Sequence, residues 1–481
     1  MSQIGIAVIL FTVITMGIGF WTYVKVKGKA VNYYKAGAMM PVWVVAITLC
    51  AQAFDANGSM GSASLSYKSG FWAGASIPFG LAACLFVTGF FFAKPIQKMN
   101  LMTLPDFYSR RYDKTTEIFA SLSMLTSNVI LIAGNLAGLG LLFSLIFGVG
   151  YLPMLIVVAA CILAYAVTGG LFASISTSVF QVAVFIVGML LSFFWLTSHF
   201  GWSSLMLEVP TEHKFLAGLI SVKHGSIANW AALISLGLGD VVAIDFMQRV
   251  ISSESPRTAQ RGCYYGGLLT LLVGVPGALI GLYAFHMNKV ARSDVLVDIA
   301  LHNLPAVIGG LLILGIIAAS MSTAAGVILA LANVITRNLV QRNMKTKWNN
   351  ETMLRFSRLI AIPTMTAAVL FAYIRPEPGT LLILAFDVVL AGCFVPLALG
   401  IYWRKANTAA ALSSIMAGAI LRITLLYIVP ESFAGLDTLI PPIVTFVLFV
   451  AVALVTQETS KPKTDAFTYI PTEEELVAGE Y

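Results

Sequence analysis

Ala51-Gln52-Ala53-Phe54-Asp55-Ala56-Asn57-Gly58-Ser59-Met60-Gly61 lies in the middle of an apolar run that extends from Pro41 to Leu65. Crossing a bilayer takes roughly 20 predominantly apolar residues, so the run is long enough to span. Its centre holds a carboxylate, two amides, a hydroxyl and two glycines, none of which an ordinary spanning helix needs. A charge in hydrocarbon is costly and marks a substrate or ion path by default. Glycines beside Asp55, Asn57 and Ser59 predict a helix that stops and restarts. Broken helices at mid-membrane build the ion and substrate sites of secondary transporters.

The rest of the chain agrees with a membrane reading. Of 481 residues, 58% are hydrophobic and 11% charged, with a mean hydropathy of +0.88. A soluble domain is roughly half apolar and a quarter charged. The apolar segments are long and lack the alternation of barrel strands, which excludes an outer-membrane barrel. The net charge of +7 is no nucleic-acid signal, because the basic residues fall between apolar spans. Cys50, Cys84, Cys161, Cys263 and Cys393 sit in or beside those spans and read as small core residues. The five histidines have no ligand spacing. Residues 3–24 are too long for a signal-peptide core and read as a retained helix.

Length and hydropathy predict an all-α polytopic protein of about thirteen spans. They are 3–24, 41–66, 71–93, 118–147, 151–169, 174–198, 227–248, 263–287, 305–335, 356–374, 380–402, 408–429 and 438–457. Most of the 29 basic residues fall in alternate loops: Lys25 to Lys35, Lys94 to Lys114, Arg249 to Arg261, Arg337 to Arg358, Arg404 with Lys405, and Lys461 with Lys463. By the positive-inside rule the N-terminus is outside, the C-terminus cytoplasmic, and the setting the plasma (inner) membrane. Residues 1–457 form the transmembrane domain, and 458–481 a solvated tail. Arg292 to Leu301 reads as a short surface helix over the outer mouth. The stretches 41–198 and 227–402 each hold five spans and each opens on a glycine-interrupted polar helix. The second interruption is Ser235-Leu236-Gly237-Leu238-Gly239-Asp240. An odd number of spans makes the second stretch enter from the opposite side, which is the arithmetic of an inverted repeat.

A further polar stretch, Ala318-Ala319-Ser320-Met321-Ser322-Thr323-Ala324-Ala325-Gly326, interrupts span 305–335. Residues three and four apart share a helix face, so Ser322 and Thr323 both lie near the carbonyl of Ala319. Such hydroxyls can simply bond back to the preceding turn. Alternatively they face the carbonyls freed by the break at Ala53–Asn57, and neutral oxygens of this kind suit a hard monovalent cation.

These residues resemble a known family. Leu304-Pro305, Gly309-Gly310 and Ala318 to Thr323 are similar to the eighth core helix of the sodium/solute symporters, the group of the bacterial proline and galactose carriers. Asp55 with Gly58 matches the first core helix of the proline carrier. Gln248-Arg249 resembles the inner end of the sixth core helix, and Thr168-Gly169-Gly170 the start of the fifth. The resemblance covers about residues 1–457 and implies a LeuT-like 5+5 inverted-repeat core, with one extra helix before it and two after. It also implies a sodium site formed by backbone oxygens of Ala53, Ala56 and Ala319 with the hydroxyls of Ser322 and Thr323. Asp55 then lies beside the ion, caps the second half-helix, or does both. Ser178 stands where many members carry an aspartate that helps bind a second sodium, so one sodium site is expected.

Gln52, Asp55, Asn57 and Asp240 are the substrate-binding candidates, Asp240 having a cap or an ion pair as its alternative. Asp245 and Arg249 are expected to pair across one turn. Asp387 is a lone carboxylate in a core span, functional unless Asn135 or another group pairs with it. Arg422 is expected to snorkel or pair. Asn128 and Asn135 line the path or join helices. The reading is a sodium-coupled symporter of a small organic solute. Its rivals are a proton-coupled carrier using Asp55 or Asp387, and a sensor that kept the transporter fold. No nucleophile–base pair or metal cluster points to an enzyme. Asp55, Asp240 and Asp387 outnumber Arg422 within the spans, which favours an amino acid, amine or quaternary ammonium as the solute.

Overall fold

The computed structural model describes residues 3–26, 40–203, 210, 217–287, 295–344 and 348–463, without the side chains of 3, 15, 16, 18–26, 168–177, 286 and 350. The Thr168-Gly169-Gly170 side chains, residues 292–294 and the tail from 464 therefore lie outside the described residues. Helix α1 (Gln3–Val26) precedes a split pair, α2 (Val42–Ala53) and α3 (Ala56–Ser69). Next come α4 (Phe71–Val87), a π-helical turn (Thr88–Phe92), α5 (Ala93–Lys98), α6 (Pro105–Arg111), α7 (Lys114–Phe147) and α8 (Tyr151–Phe200). A short α9 (Ala217–Ile220) leads to α10 (Ser226–Ile234), a π turn (Ser235–Gly239), a 3-10 turn (Asp240–Val242), α11 (Ile244–Ile251) and α12 (Pro256–Met287). The remainder is α13 (Val295–His302), α14 (Ala306–Asn333) with a π turn (Val334–Val340), α15 (Asn350–Ile374), α16 (Pro378–Gly392), α17 (Phe394–Tyr402), α18 (Thr408–Ile428) and α19 (Leu436–Val455).

The surface is strongly apolar, and many polar side chains are buried among the hydrophobic core. Val13, Phe194, Leu268, Leu359, Ile420 and Val447 are all more than half exposed, while Asp55, Asn57, Ser322, Thr323 and Arg337 are buried. Water cannot satisfy polar groups in hydrocarbon, so they turn inward and find partners there. Helix α14 is the centre of the bundle. Its most apolar window is 89% buried, against 28% for α15 and for α19.

Among the described residues, eight helices are long and apolar enough to cross, or ten if each of two bent pairs counts as one span. The expected thirteen is not confirmed by that measure. Three shorter apolar helices, Ile4–Ile14, Val42–Ala53 and Tyr151–Val167, fall in other predicted spans. The predicted spans 151–169 and 174–198 form one helical segment, α8. Tyr151 Oη donates to the Ala372 carbonyl at the end of α15, and near the other end of α8 Thr197 Oγ1 accepts from Tyr283, close to the end of α12. Helices α12 and α15 both start among the basic loops, so both ends of α8 lie at the opposite surface. Its halves Tyr151–Val167 and Ser178–Phe200 therefore cross in opposite directions.

The expected helix over the mouth is α13. It is no surface helix: Val295, Leu296, Val297, Ile299 and Ala300 are buried. Two differences from the sequence reading matter for function. Span 380–402 is bent by 48° between α16 and α17. Pro396, three residues into α17, has no N–H to give the preceding turn. The loop 94–117 is not open either. It folds into α6, and the hydroxyls of Tyr108 and of Tyr112, which caps it, donate to the carbonyls of Cys393 and Pro396 at the bend.

Candidate functional site

The first break is built by its own residues. Phe54 leaves the helix at φ −132° and ψ 68°. Its ring is fully buried, 6.0 Å from that of Phe185. Asp55 is extended and its carboxylate accepts the Gly58 N–H at 3.2 Å, so it caps α3. Its other oxygen accepts from Asn135 Nδ2 at 2.5 Å. Asn135 thus serves Asp55 and not Asp387. Asn57 turns away from the break, donating to the Leu131 carbonyl at 3.0 Å. It fits only because residue 134 is glycine, where a Cβ would stand 2.2 Å from Asn57 Oδ1. Asn128 bonds back to Met124 in its own helix. Gln52 is different: it is 8% exposed and neither of its amide atoms has a hydrogen-bond partner.

Helix α14 meets the break through hydroxyls. Thr323 Oγ1 donates to the Ala51 carbonyl at 3.1 Å, and Ser320 Oγ accepts the Ala56 N–H at 2.8 Å. Ser320 is also the hydroxyl that bonds back, to Ile316 at 2.7 Å. Ser322 Oγ meets Ser178 Oγ at 2.5 Å. Of the residues nominated for the ion, the structure joins two to the contact between α14 and the break, Thr323 through its hydroxyl and Ala56 through its N–H. It adds the Ala51 carbonyl and Ser320, which the sequence reading did not nominate. Ser320 was visible in the motif, one turn from Thr323. The Ala51 carbonyl has no sequence signal, because its freedom depends on where the helix stops.

The glycines expected to break the helix fall in a π turn, and the bend itself comes just after them. The π turn and the 3-10 turn carry the chain to Ala243, where it bends by 53° into α11. Gly239 is pressed against α16, and a Cβ there would lie 2.5 Å from the Phe386 carbonyl. Asp240 is 3% exposed, hydrogen-bonds with Cys84, and lies within electrostatic reach of Asp55, Asp245 and Arg249. The expected Asp245–Arg249 side-chain pair is not formed. Arg249 Nη1 donates instead to the main-chain carbonyl of Asp245 at 2.9 Å, and both Asp245 carboxylate oxygens are without a hydrogen bond. The guanidinium reaches across to α14, where a Cβ on Gly326 would stand 2.8 Å from it. Three carboxylates therefore share this interior with one arginine.

Asp387 finds its partner outside the core. Arg422 of α18 donates to Asp387 Oδ2 at 2.9 Å and to Asp437 Oδ2 at 2.8 Å, and Thr438 Oγ1 donates to Asp387 at 2.9 Å. Arg422 pairs and does not snorkel, because α19 supplies a second carboxylate beside the first.

Residues 33–418 match the Sodium:solute symporter family. The chain belongs to that family. This sodium:solute symporter is 25% identical over 440 residues to the human "High affinity choline transporter 1", covering 87% of this chain and 76% of the relative. It is 22% identical over 454 residues to the "Sodium/glucose cotransporter" of Vibrio parahaemolyticus, covering 85% and 82%. Among solved structures, a Na+-coupled sialic acid symporter in a substrate-bound outward-open state superposes with a TM-score of 0.80 at 17% identity, over 96% of this chain and 99% of that one. The fold is therefore the LeuT-like transporter fold, and the protein is a multi-pass membrane transporter and not an enzyme. Family membership supports sodium-coupled symport of a small solute.

Proposed function

We propose that this symporter carries one sodium ion inward with a small organic solute bearing a positive charge, an amine, quaternary ammonium or amino acid, by alternating access. One observation carries the reading: a hydroxyl of α14, Thr323, meets a main-chain carbonyl freed at the first helix break. Carbonyls of Ala53, Ala56 and Ala319 with the hydroxyls of Ser322 and Thr323 supply neutral oxygens for a monovalent cation. Ser178, neutral and bonded to Ser322, supports a single site. Residues 1–457 act as the transport domain in the plasma membrane, with residues 458–481 as a tail.

The cationic solute rests on the balance of Asp55, Asp240 and Asp245 against Arg249. An uncompensated carboxylate in low dielectric selects positive charge. The unpartnered amide of Gln52 offers a hydrogen bond beside it. Sodium favours the substrate-competent state only through its differential affinity for the two states. The test is uptake of labelled choline, proline, glucose and sialic acid into proteoliposomes, under an inward sodium gradient and, separately, a proton gradient. Uptake of choline or proline under the sodium gradient supports the reading. Uptake driven by protons without sodium supports the rival.

Asp240→Asn is expected to raise the half-saturating solute concentration about 10-fold or more, since a hydrogen bond to a charged group contributes about 1.5–3 kcal/mol. Its sodium requirement should stay close to the parent's. Unchanged solute affinity in a well-folded variant rules out contact with the solute. The excess of Lys and Arg in alternate loops also predicts an outside N-terminus. A cysteine placed at position 2 should react with an impermeant maleimide in intact cells, and one at position 470 should not. Labelling at 470 overturns the orientation.

A further inference from the structure

At the end of the bundle that carries the basic loops, a cavity of about 410 Å³ opens between α6 and the end of α17. It is lined by Arg111, Gly400, Ile401, Tyr402, Trp403, Arg404 and Lys463. Three of these are cations and none is a carboxylate. Arg111 builds the walls: its guanidinium donates to the carbonyls of Gly400 at 2.8 Å, Trp403 at 3.2 Å and Lys463 at 2.9 Å. Carbonyls satisfy its N–H groups but leave its charge in place. Burial holds the Arg111 pKa below the usual arginine value, and among the described residues it is the Tyr112 phenol that works against that shift. Arg337, Arg342, Arg355 and Arg422 do have carboxylate partners. Arg404 and Lys463 are exposed.

The cavity also has an apolar border. Tyr402 is 59% exposed and its hydroxyl donates to the Phe91 carbonyl. Phe90 and Phe91, on the adjoining π turn, are 65% and 53% exposed. Exposed tyrosine is enriched at the boundary between bilayer and water, and exposed Phe90 and Phe91 beside it offer an apolar surface to lipid. Basic pockets between membrane helices at that depth hold acidic headgroups, and arginine's planar fork matches phosphate oxygens.

We propose that this cavity binds a phosphate group, that of an anionic phospholipid headgroup, between Arg111, Arg404 and Lys463, with the acyl chains along Phe90 and Phe91. The headgroup then bridges the end of α6 and the far end of α17, the helix that follows the bend, where Tyr108 and Tyr112 already hold the Cys393 and Pro396 carbonyls. The acyl chains favour a lipid over free phosphate, because the aromatic border is exposed where a soluble anion has no use for it.

The test is native mass spectrometry of the full-length protein with phosphatidylglycerol and phosphatidylcholine of identical chains. Phosphatidylglycerol should be retained in preference. Arg404→Gln/Lys463→Gln should weaken its retention about 30-fold, with the elution profile unchanged because both side chains are exposed. Equal retention of the two lipids by the parent, or equal phosphatidylglycerol retention by the double variant, overturns the proposal. Two further arms fix the source. If inorganic phosphate alone binds the protein and displaces the lipid, the ligand is a soluble anion and the lipid assignment fails. If phosphatidylglycerol binds only a chain ending at Lys463, the tail is the occupant and the assignment likewise fails.

Discussion

Asp106→Asn is expected to destabilise the protein by about 3–5 kcal/mol, the cost of leaving a buried charge without its partner. Asp106 is fully buried at the start of α6, and its Oδ2 accepts the N–H groups of Met102 at 3.0 Å and Thr103 at 2.9 Å. Its Oδ1 accepts from Arg337, which is equally buried, from Asn338 at 2.8 Å and from Arg342 at 3.3 Å. Arg342 also pairs with Glu117 in the first turn of α7. The network fastens the end of α14, the helix that carries Ser322 and Thr323, to α6 and α7. The amide keeps the shape of Asp106 and loses its charge, so two arginines are left with Glu117 alone. Thermal unfolding in detergent, read by the loss of the monodisperse peak, should move to clearly lower temperature. A variant that unfolds with the parent contradicts the role given to this network.

Ser322→Ala and Thr323→Ala are each expected to weaken sodium binding roughly 10- to 100-fold. One oxygen contact to a charged group contributes about 1.5–3 kcal/mol, and the other ligands stay in place. Thr323→Ser keeps the oxygen and should be mild. Binding of 22Na+ to purified protein measures this without knowledge of the solute. A Hill coefficient near one is expected with Ser178 in the position of the family's aspartate. If both alanine variants are well folded and bind sodium as the parent does, the site is elsewhere. A coefficient near two defeats only the single-ion part.

Much of the fold was legible because its signals are local. Asp55, Asn57 and Gly58 in an apolar run announce a break. Gly237 and Gly239 announce the second. The hydroxyls of Ser320, Ser322 and Thr323 stand out in a helix otherwise made almost wholly of apolar residues and glycine. What the sequence hid depends on distant pairing. Asn135 meets Asp55 across 80 positions, and Arg422 meets Asp387 across 35. Neither has a spacing that periodicity can reveal. Asp245 and Arg249 have the spacing of a helical pair, yet the arginine takes the main chain because Gly326 opens room for it on α14. The bend at Cys393 had its cue in Pro396, but the long apolar run masked it. The loop before α7 looked like a plain basic linker, and only its tertiary contacts turn Tyr108, Arg111 and Tyr112 into the clamp on α17.

The central claim is that sodium and an organic solute cross together. Paired-isotope flux tests it most directly: 22Na+ entry into proteoliposomes at clamped voltage, measured with and without the labelled solute that the uptake panel identifies. The account predicts that the solute stimulates 22Na+ entry, that each solute molecule brings about one sodium ion, and that Thr323→Ala raises the sodium concentration needed for both fluxes together. Solute entry that leaves 22Na+ flux unchanged contradicts it.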